Sequence, residues 1–591
     1  MKKVLFLIIL ISLSISVWAD GMVLWPQLTD GIYNQNKVQA MHLVIGEDGL
    51  TVTDTCYHTY QVPGCVKRWN IDMGETHTEP LKDYKFDESF AGLPVTITME
   101  LYNPEDYWRT VENYQEIIIL GDKQNTISFP PWFSIPTDRL AYDFDENPTW
   151  PRDFTLPKGK LAIWQGASKV RQRDIEGKSP MLRFGFTHVG PCALSKGEPH
   201  PDKKNLGMVF SDNEWIKCNP AGTEYEDPTN PETWQKETFL NYAKSMEILI
   251  ADFEMPGAHA WQDYQFEAFK KIIDETREAE PGAKVGCWGV APANYSIRMF
   301  DDIDELGRGT GVVNETGAKK WRDLYKDPSV MTNQVFKRCD LNFGNPSVYF
   351  INNTKPSQLY AFLQEYEMSK ILRPDVLDVL STWIQVEFVD GYNLTPYSFK
   401  DAEGRERCEW IKHQVPASLV YALSLFGHCV MDGLHCWEVG TYYSEDLKDY
   451  YNWGAGEPAS KAIVNGEEYP CNYYVKYFGF YNYHVLGMWQ ASQNKDIIEA
   501  DTKWFMPEYK SSKNDIWRVG DEVFPSYANL HKEPLIRAKL SKDGKELLVV
   551  ADNPYNQGLE KVKIHGPNSE KEFSFELVGA WPQIKRFKVN N

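Results

Sequence analysis

Residues 246–254 read MEILIADFE, an apolar run that closes on two carboxylates, Asp252 and Glu254. Along a strand side chains alternate with a period of two, so Ile250, Asp252 and Glu254 fall on one face. Downstream, Trp261, Phe266, Phe269 and Ile273 recur at helical spacing and stop at Pro281-Gly282, after which Lys284 to Val290 is apolar again. Strand, helix and strand in that order form the repeating unit of a parallel sheet.

Working outward, the same grammar recurs. Leu161 to Gln165, Leu182 to His188, Gly207 to Ser211, Met246 to Asp252, Lys284 to Val290, Ser347 to Asn352, Val379 to Val386 and Gly433 to Trp437 read as eight apolar strands. Leu359, Phe362, Leu363 and Tyr366 give a helical stripe after Pro356-Ser357, and Val415 to Cys429 gives another with Pro416 in its first turn. Eight strands alternating with helices predict a central (β/α)8 TIM barrel over 151–529, with insertions. No glycine-rich dinucleotide or phosphate loop follows any strand, which removes the usual reason to prefer an open sheet.

The flanks read differently. Val38 to Val44, Leu50 to Asp54, Leu93 to Tyr102 and Tyr114 to Leu120 are short β-rich runs with turn chemistry at Glu47-Asp48-Gly49 and Gly121-Asp122, so 20–150 predict an N-terminal β-sandwich. The Pro-rich stretch Phe129 to Pro136 and the acidic stretch Asp143 to Pro151 mark its edge. Leu535 to Leu540, Glu546 to Ala551, Glu560 to Ile564, Phe573 to Val578 and Ile584 to Val589, with a turn at Lys542-Asp543-Gly544, predict a small C-terminal β-sandwich over 530–591. Residues 1–19 carry Lys2 and Lys3, an apolar centre and a small residue, Ala19, at the cut: the pattern of a cleaved signal peptide. The apolar run is shorter than the roughly 20 residues a spanning helix needs, so no membrane anchor is expected. The destination it implies is periplasmic or extracellular.

In barrels of this kind chemistry sits at the carboxyl ends of the strands. Three ends stand out: Asp252 and Glu254 on the fourth, Trp383, Gln385 and Glu387 on the seventh, and His435, Trp437 and Glu438 on the eighth. Here the chain resembles glycoside hydrolases of the clan A superfamily, in which a Glu ending strand four is the general acid/base, a Glu ending strand seven the nucleophile, and a Trp ending strand eight lies beneath the sugar. The resemblance implies Glu254 as acid/base, Glu387 as nucleophile, Asp252 as the residue that orients or tunes Glu254, and Trp437 as platform. Phe253 stands where the family carries Asn. The Asp252-x-Glu254 pair is also similar to that of chitinase-like barrels, although Ile248 and Ile250 occupy the positions where those carry further Asp residues.

Independently of family, cleaving a glycosidic bond takes one protonated acid for the leaving oxygen and one ionised carboxylate to attack carbon or activate water. His259 and Trp261 follow the fourth strand closely, Trp288, Asn294 and Tyr295 end the fifth and Asn352 ends the sixth. Such side chains supply hydrogen bonds to hydroxyls and flat faces for sugar rings. Strand-terminal acids also serve as helix caps or ion-pair partners, and Glu438 competes with Glu387 for the second role.

Composition sets limits. With 83 acidic against 62 basic residues the net charge is −21, which opposes nucleic-acid binding. The ten cysteines form no CxxC or Cys/His cluster, and Asp143, Asp145 and Glu146 fit no complete calcium loop, so no metal or other cofactor is expected. Cys56 and Cys65 are the candidates for a disulfide in an exported protein. Aromatic residues make up 14% of the chain, including 20 Trp and 32 Tyr. Together these predict a secreted hydrolase acting on a polysaccharide or oligosaccharide partner, with a retaining mechanism. The rival is a non-catalytic carbohydrate-binding or surface glycan-assembly protein. A lyase lacks a basic cluster at the strand ends, and a serine esterase lacks a G-x-S-x-G elbow.

Overall fold

The computed structural model describes residues 41, 43–57, 66–72, 76–77, 79–102, 110–121, 127, 129–133, 154–165, 184–189, 207–210, 247–251, 263–288, 301–303, 309–313, 341–345, 355–372, 377–383, 386–388, 397–401, 406–409, 412–437, 441–444, 449–452, 461–464, 467–470, 480–519, 525–567 and 571–589. The expected signal peptide and Cys65 lie outside them. Among the described residues no helix is long and apolar enough to cross a membrane.

Eight segments pair in parallel: β1 Leu161–Gln165, β2 His188–Val189, β3 Gly207–Phe210, β4 Ile248–Ala251, β5 Lys284–Trp288, β6 Phe343–Asn345, β7 in two pieces, Leu377–Asp378 and Leu380–Trp383, and β8 Gly433–Trp437. One ladder runs β3-β4-β5-β6 to the first piece of β7, and the other runs from its second piece through β8 and β1 to β2. Among the described residues each strand therefore pairs with its sequence neighbours except β2 and β3, which end the two ladders, and β8 pairs with β1.

Both faces of this sheet are buried, which is why its strands read as nearly unbroken apolar runs. Leu161, Ile163, Ile248, Ile250, Phe343 and Val379 form one cluster. The alternate residues, Ala162, Leu249, Val285, Leu434 and Cys436, belong to a second cluster shared with the helices. Two glycines permit the close packing. At Gly286 a Cβ would come within 2.5 Å of the Phe343 ring. Gly433 starts β8 at φ 142°, where a Cβ would stand 1.8 Å from the Leu161 carbonyl oxygen.

Among the described residues the ladder position beside β5 is taken by Phe343–Asn345, and the expected sixth strand, Ser347 to Asn352, lies outside the described residues. The Phe343 ring fills the space over Gly286.

The helices alternate with the strands. α1 Asp263–Ala279 joins β4 to β5 and ends before Pro281-Gly282, α2 Lys355–Leu372 precedes β7, α3 Ala417–Cys429 precedes β8, and α4 Phe480–Gln493 follows it. All 13 residues of α3 are buried. It crosses α4 where a Cβ on Gly487 would meet Ser424 at 2.5 Å, an approach only glycine allows.

On the amino-terminal side, one three-stranded and one four-stranded antiparallel sheet enclose a separate core of Val52, Trp69, Ile71, Val95, Ile97 and Met99. The Trp69 indole N–H donates to buried Asp54 at 3.0 Å. On the carboxyl-terminal side, Leu535–Leu540, Glu546–Asp552 and Gln583–Lys588 form one antiparallel sheet. Leu559–His565 and Glu572–Val578 form another with Tyr509–Ser511 and Asn514–Arg518. The last two strands precede residue 530, and Tyr509 pairs with Ile564.

Trp581 is fully buried, with the rings of Phe129, Tyr421 and Tyr483 5.7, 6.4 and 5.7 Å away. It thereby joins the amino-terminal segment, α3, α4 and the carboxyl-terminal sheets in one core.

Candidate active site at the strand carboxyl ends

Register assigns a level to each strand end. Ile163, His435 and Ser381 are Cα partners across β1, β8 and β7, and two residues further along so are Gln165, Trp437 and Trp383. Ile163 belongs to the inner apolar cluster, so backbone positions 165, 437 and 383 share its alternation. The same step on the opposite arc leads from Gly286 and Phe343, which are partners, to Trp288 and Asn345, which are also partners. Ile250, inside the inner cluster, is the partner of Gly286. Five strand ends thus carry Gln165, Trp437, Trp383, Asn345 and Trp288 at inward backbone positions.

Trp288, Trp383 and Trp437 were expected there, and register brings Trp383 and Trp437 side by side. Gln165 and Asn345 were not singled out. Gln165 ended an expected strand, and Asn345 lay outside the strands read from the sequence. His435 is fully buried in the middle of β8, and burial holds its imidazole down at about 3, so it is neutral near pH 7. Glu387 lies on a short strand, Val386–Phe388, that pairs antiparallel with Lys412–Gln414 and sets it opposite His413. The residues between Trp383 and this strand, 384–385, lie outside the described residues. Asp252, Glu254, His259, Trp261, Asn294, Tyr295, Asn352, Gln385 and Glu438 lie outside the described residues.

The opposite end of the strands is an ion-paired floor. Glu247 lies 2.8 Å from the Lys284 ammonium and 3.4 Å from His188 Nε2. The bond to His188, helped by Lys284, holds the Glu247 carboxyl down at about 2. It is therefore ionised at any working pH and unsuited to proton transfer.

Behind β8 a second group is buried. Ser424 donates its hydroxyl to the His484 carbonyl at 2.6 Å, His428 Nδ1 lies 2.7 Å from the Ser424 carbonyl, and Cys436 Sγ is 3.5 Å from His484 Nε2. Burial pushes His428 to about 3, His484 well below the usual imidazole value, and the Cys436 thiol upward. Serine, histidine and cysteine meet here with no thiolate and no charged imidazole, which makes this packing and not a nucleophile pair. Among the described residues no three metal-ligating side chains gather.

No protein-family model matches the chain, and no curated protein matches it in sequence. Among solved structures it is similar to an endo-β1,6-glucanase at 9% identity and TM-score 0.31, covering 74% of this chain and 94% of that one. It is similar to pullulanase from Bacillus acidopullulyticus at 9% identity and TM-score 0.31, covering 92% and 74%. Bee venom hyaluronidase gives 8% identity and TM-score 0.28 over 47% of this chain and 91% of its own. These neighbours are glycoside hydrolases.

Proposed function

We propose that the protein is a carbohydrate-active enzyme built on a closed (β/α)8 barrel. More particularly, it is an exported retaining glycoside hydrolase acting on a polysaccharide or oligosaccharide, its barrel flanked by β-sandwich units. The observation that carries this reading is a set of tryptophans: positions 288, 383 and 437 stand at inward backbone positions of three strand ends, 383 and 437 as Cα partners, with Asn345 the partner of 288 and Gln165 the partner of 437. Flat indole faces with amide hydrogen-bonders suit sugar rings and their hydroxyl edges. In the sequence, Asp252 and Glu254 follow Ile250 in the same alternation.

In the proposed reaction Glu254 gives its proton to the glycosidic oxygen while an ionised carboxylate attacks the anomeric carbon. Glu254, now a base, then takes a proton from the water that releases the sugar. Glu387 is the proposed nucleophile and Asp252 the residue that tunes Glu254. Glu438 is the second reading for the nucleophile, favoured because it directly follows Trp437, whereas Glu387 sits on a separate ladder.

The test is to replace Glu254, Glu387 and Glu438 singly by Gln and to assay a panel of glycans for new reducing ends. The expected loss is about 100-fold or more for Glu254→Gln and for one of the other two. Unchanged cleavage in Glu254→Gln overturns the assignment, and binding without cleavage by the parent protein supports the non-catalytic carbohydrate-binding reading instead. Export predicts a mature chain beginning at Asp20, read by mass spectrometry of the secreted protein.

A further inference from the structure

The carboxyl-terminal sheets are docked on α2 by polar contacts. The Tyr360 hydroxyl donates to the Glu533 carbonyl at 2.6 Å, Ser357 Oγ stands 3.4 Å from the Tyr555 hydroxyl, and Arg537 makes a two-pronged pair with Glu367 at 2.6 and 2.9 Å. Beside the Tyr360 contact lie Asp552 and Glu560, both 0% exposed. Neither Asp552 carboxylate oxygen has a side-chain partner or a hydrogen bond of good geometry, and Glu560 Oε1 is likewise unmatched. Glu560 Oε2 accepts from the Asn553 amide at 2.8 Å.

The groups that face this pair come from every side. Lys513 reaches from the hairpin between the two early strands to 3.9 Å from Glu560. Tyr509 donates to Glu533, whose other oxygen is taken by Arg518 and Asn514, so that neighbouring acid is already compensated. Tyr360, Tyr555 and Tyr509 close the remainder, and burial raises the Tyr360 and Tyr509 phenols. Lys532 stands 5.7 Å from the Tyr555 ring, and Lys513 is the cation paired with Glu560 among the described residues.

We propose that buried Asp552, beside Glu560, forms a proton-operated latch between the carboxyl-terminal sheets and helix α2, tight while Asp552 keeps its proton and weakened once it loses it. Burial, opposed by a hydrogen bond from the Asn553 backbone and helped by neighbouring Glu560, pushes the Asp552 carboxyl well above its usual value of 3.8. A folded-state value raised above the unfolded one gives stability that is complete below the unfolded value and is lost as pH rises. Asp552 adjoins Asn553, whose side-chain oxygen stands 3.5 Å from the Tyr360 hydroxyl, so α2 should feel the loss.

The test uses the full chain, its Asp552→Asn variant and, as a second variant, Glu560→Gln. Thermal unfolding is recorded from pH 4.5 to 8, with hydrogen exchange of the 355–372 amides. Expected is a melting temperature for Asp552→Asn that exceeds the parent's by a margin growing with pH, about 2 °C or more by pH 8. Corrected exchange of α2 in the parent should quicken by up to about tenfold per pH unit and stay flat in the variant. A pH-independent margin in both variants overturns the proposal, as does a growing margin with unchanged α2 exchange. So does a parent protein whose melting temperature rises with added calcium and falls with chelator, which would make the pair a cation site.

Discussion

The parallel-stranded region and the carboxyl-terminal sheets bury ionisable groups of opposite kinds. Around β8 the buried groups are His428, His435 and His484, all neutral. In the carboxyl-terminal unit they include Asp552, Glu560 and Glu533, with Arg537 and Lys539. A buried imidazole resists gaining charge and an uncompensated buried carboxyl such as Asp552 resists losing its proton, so acid strains the first region and alkali the second. The two also differ in how closely backbone approaches backbone. At Gly433 the β1 carbonyl leaves no room for a side chain, while at Gly544, in the hairpin between Leu535–Leu540 and Glu546–Asp552, nothing lies within 4 Å of a Cβ. The parallel-stranded region is set by crowding and the sheet unit by pairing.

The largest effect that would sharpen this contrast is acid unfolding. Burial holds His428 and His435 near 3 against 6.5 for an imidazole in water. A depressed value gives stability that is present above 6.5 and is lost as pH falls toward 3, at about 5 kcal/mol for each residue by the end of that range. Domains hold only about 5–15 kcal/mol in reserve. Urea unfolding between pH 7 and 4 should therefore show the parallel region failing first, monitored by exchange of the α3 amides. Loss of the carboxyl-terminal sheets first would break the comparison.

Gly433→Ala comes next. It places a methyl on the Leu161 carbonyl and holds φ at 142°, and the expected cost exceeds about 4 kcal/mol, seen as insoluble or unfolded protein by circular dichroism. Arg537→Ala then removes a guanidinium whose side chain is 4% exposed and leaves Glu367, 29% exposed, without its fork. A loss of about 2–3 kcal/mol is expected, since a partly exposed partner is screened. Its signature should be earlier unfolding of the carboxyl-terminal sheets relative to α3, read by limited proteolysis. The smallest effect belongs to Gly544→Ala. With φ at 71° and open space around it, the cost is about 1–2 kcal/mol of backbone strain. A larger loss than that of Gly433→Ala would overturn the distinction between crowded and open turns.

Much of the element order was legible. β8 was expected at Gly433 to Trp437 and runs over those residues, and the five late strands were placed within a residue or so of where they lie. Each is a local pattern: alternation, apolar runs, and turns such as Asp543, which accepts from the Lys545 N–H and the Ser541 hydroxyl. Less legible was the sixth strand, because Phe343 is chosen by the hole over Gly286, a residue 57 positions earlier. The pairing of Tyr509–Ser511 with Leu559–His565 was likewise invisible, since its partner lies across three intervening strands.

For the candidate site, the three strand-end tryptophans were named from position alone, while Gln165 and Asn345 needed the register. Glu387 was assigned to the seventh strand by alternation, and the antiparallel pairing that sets it opposite His413 was not legible, because its partner strand lies about 25 residues further along the chain.

By itself, the sequence determined which segments are strands and helices and in what order, because periodicity and turn chemistry act within a few residues. Only the tertiary structure decided which strand ends are register partners, which glycines admit a neighbouring backbone, and that Asp552 is fully buried. Those outcomes depend on groups far apart in the chain meeting in one volume, and no local pattern carries that volume.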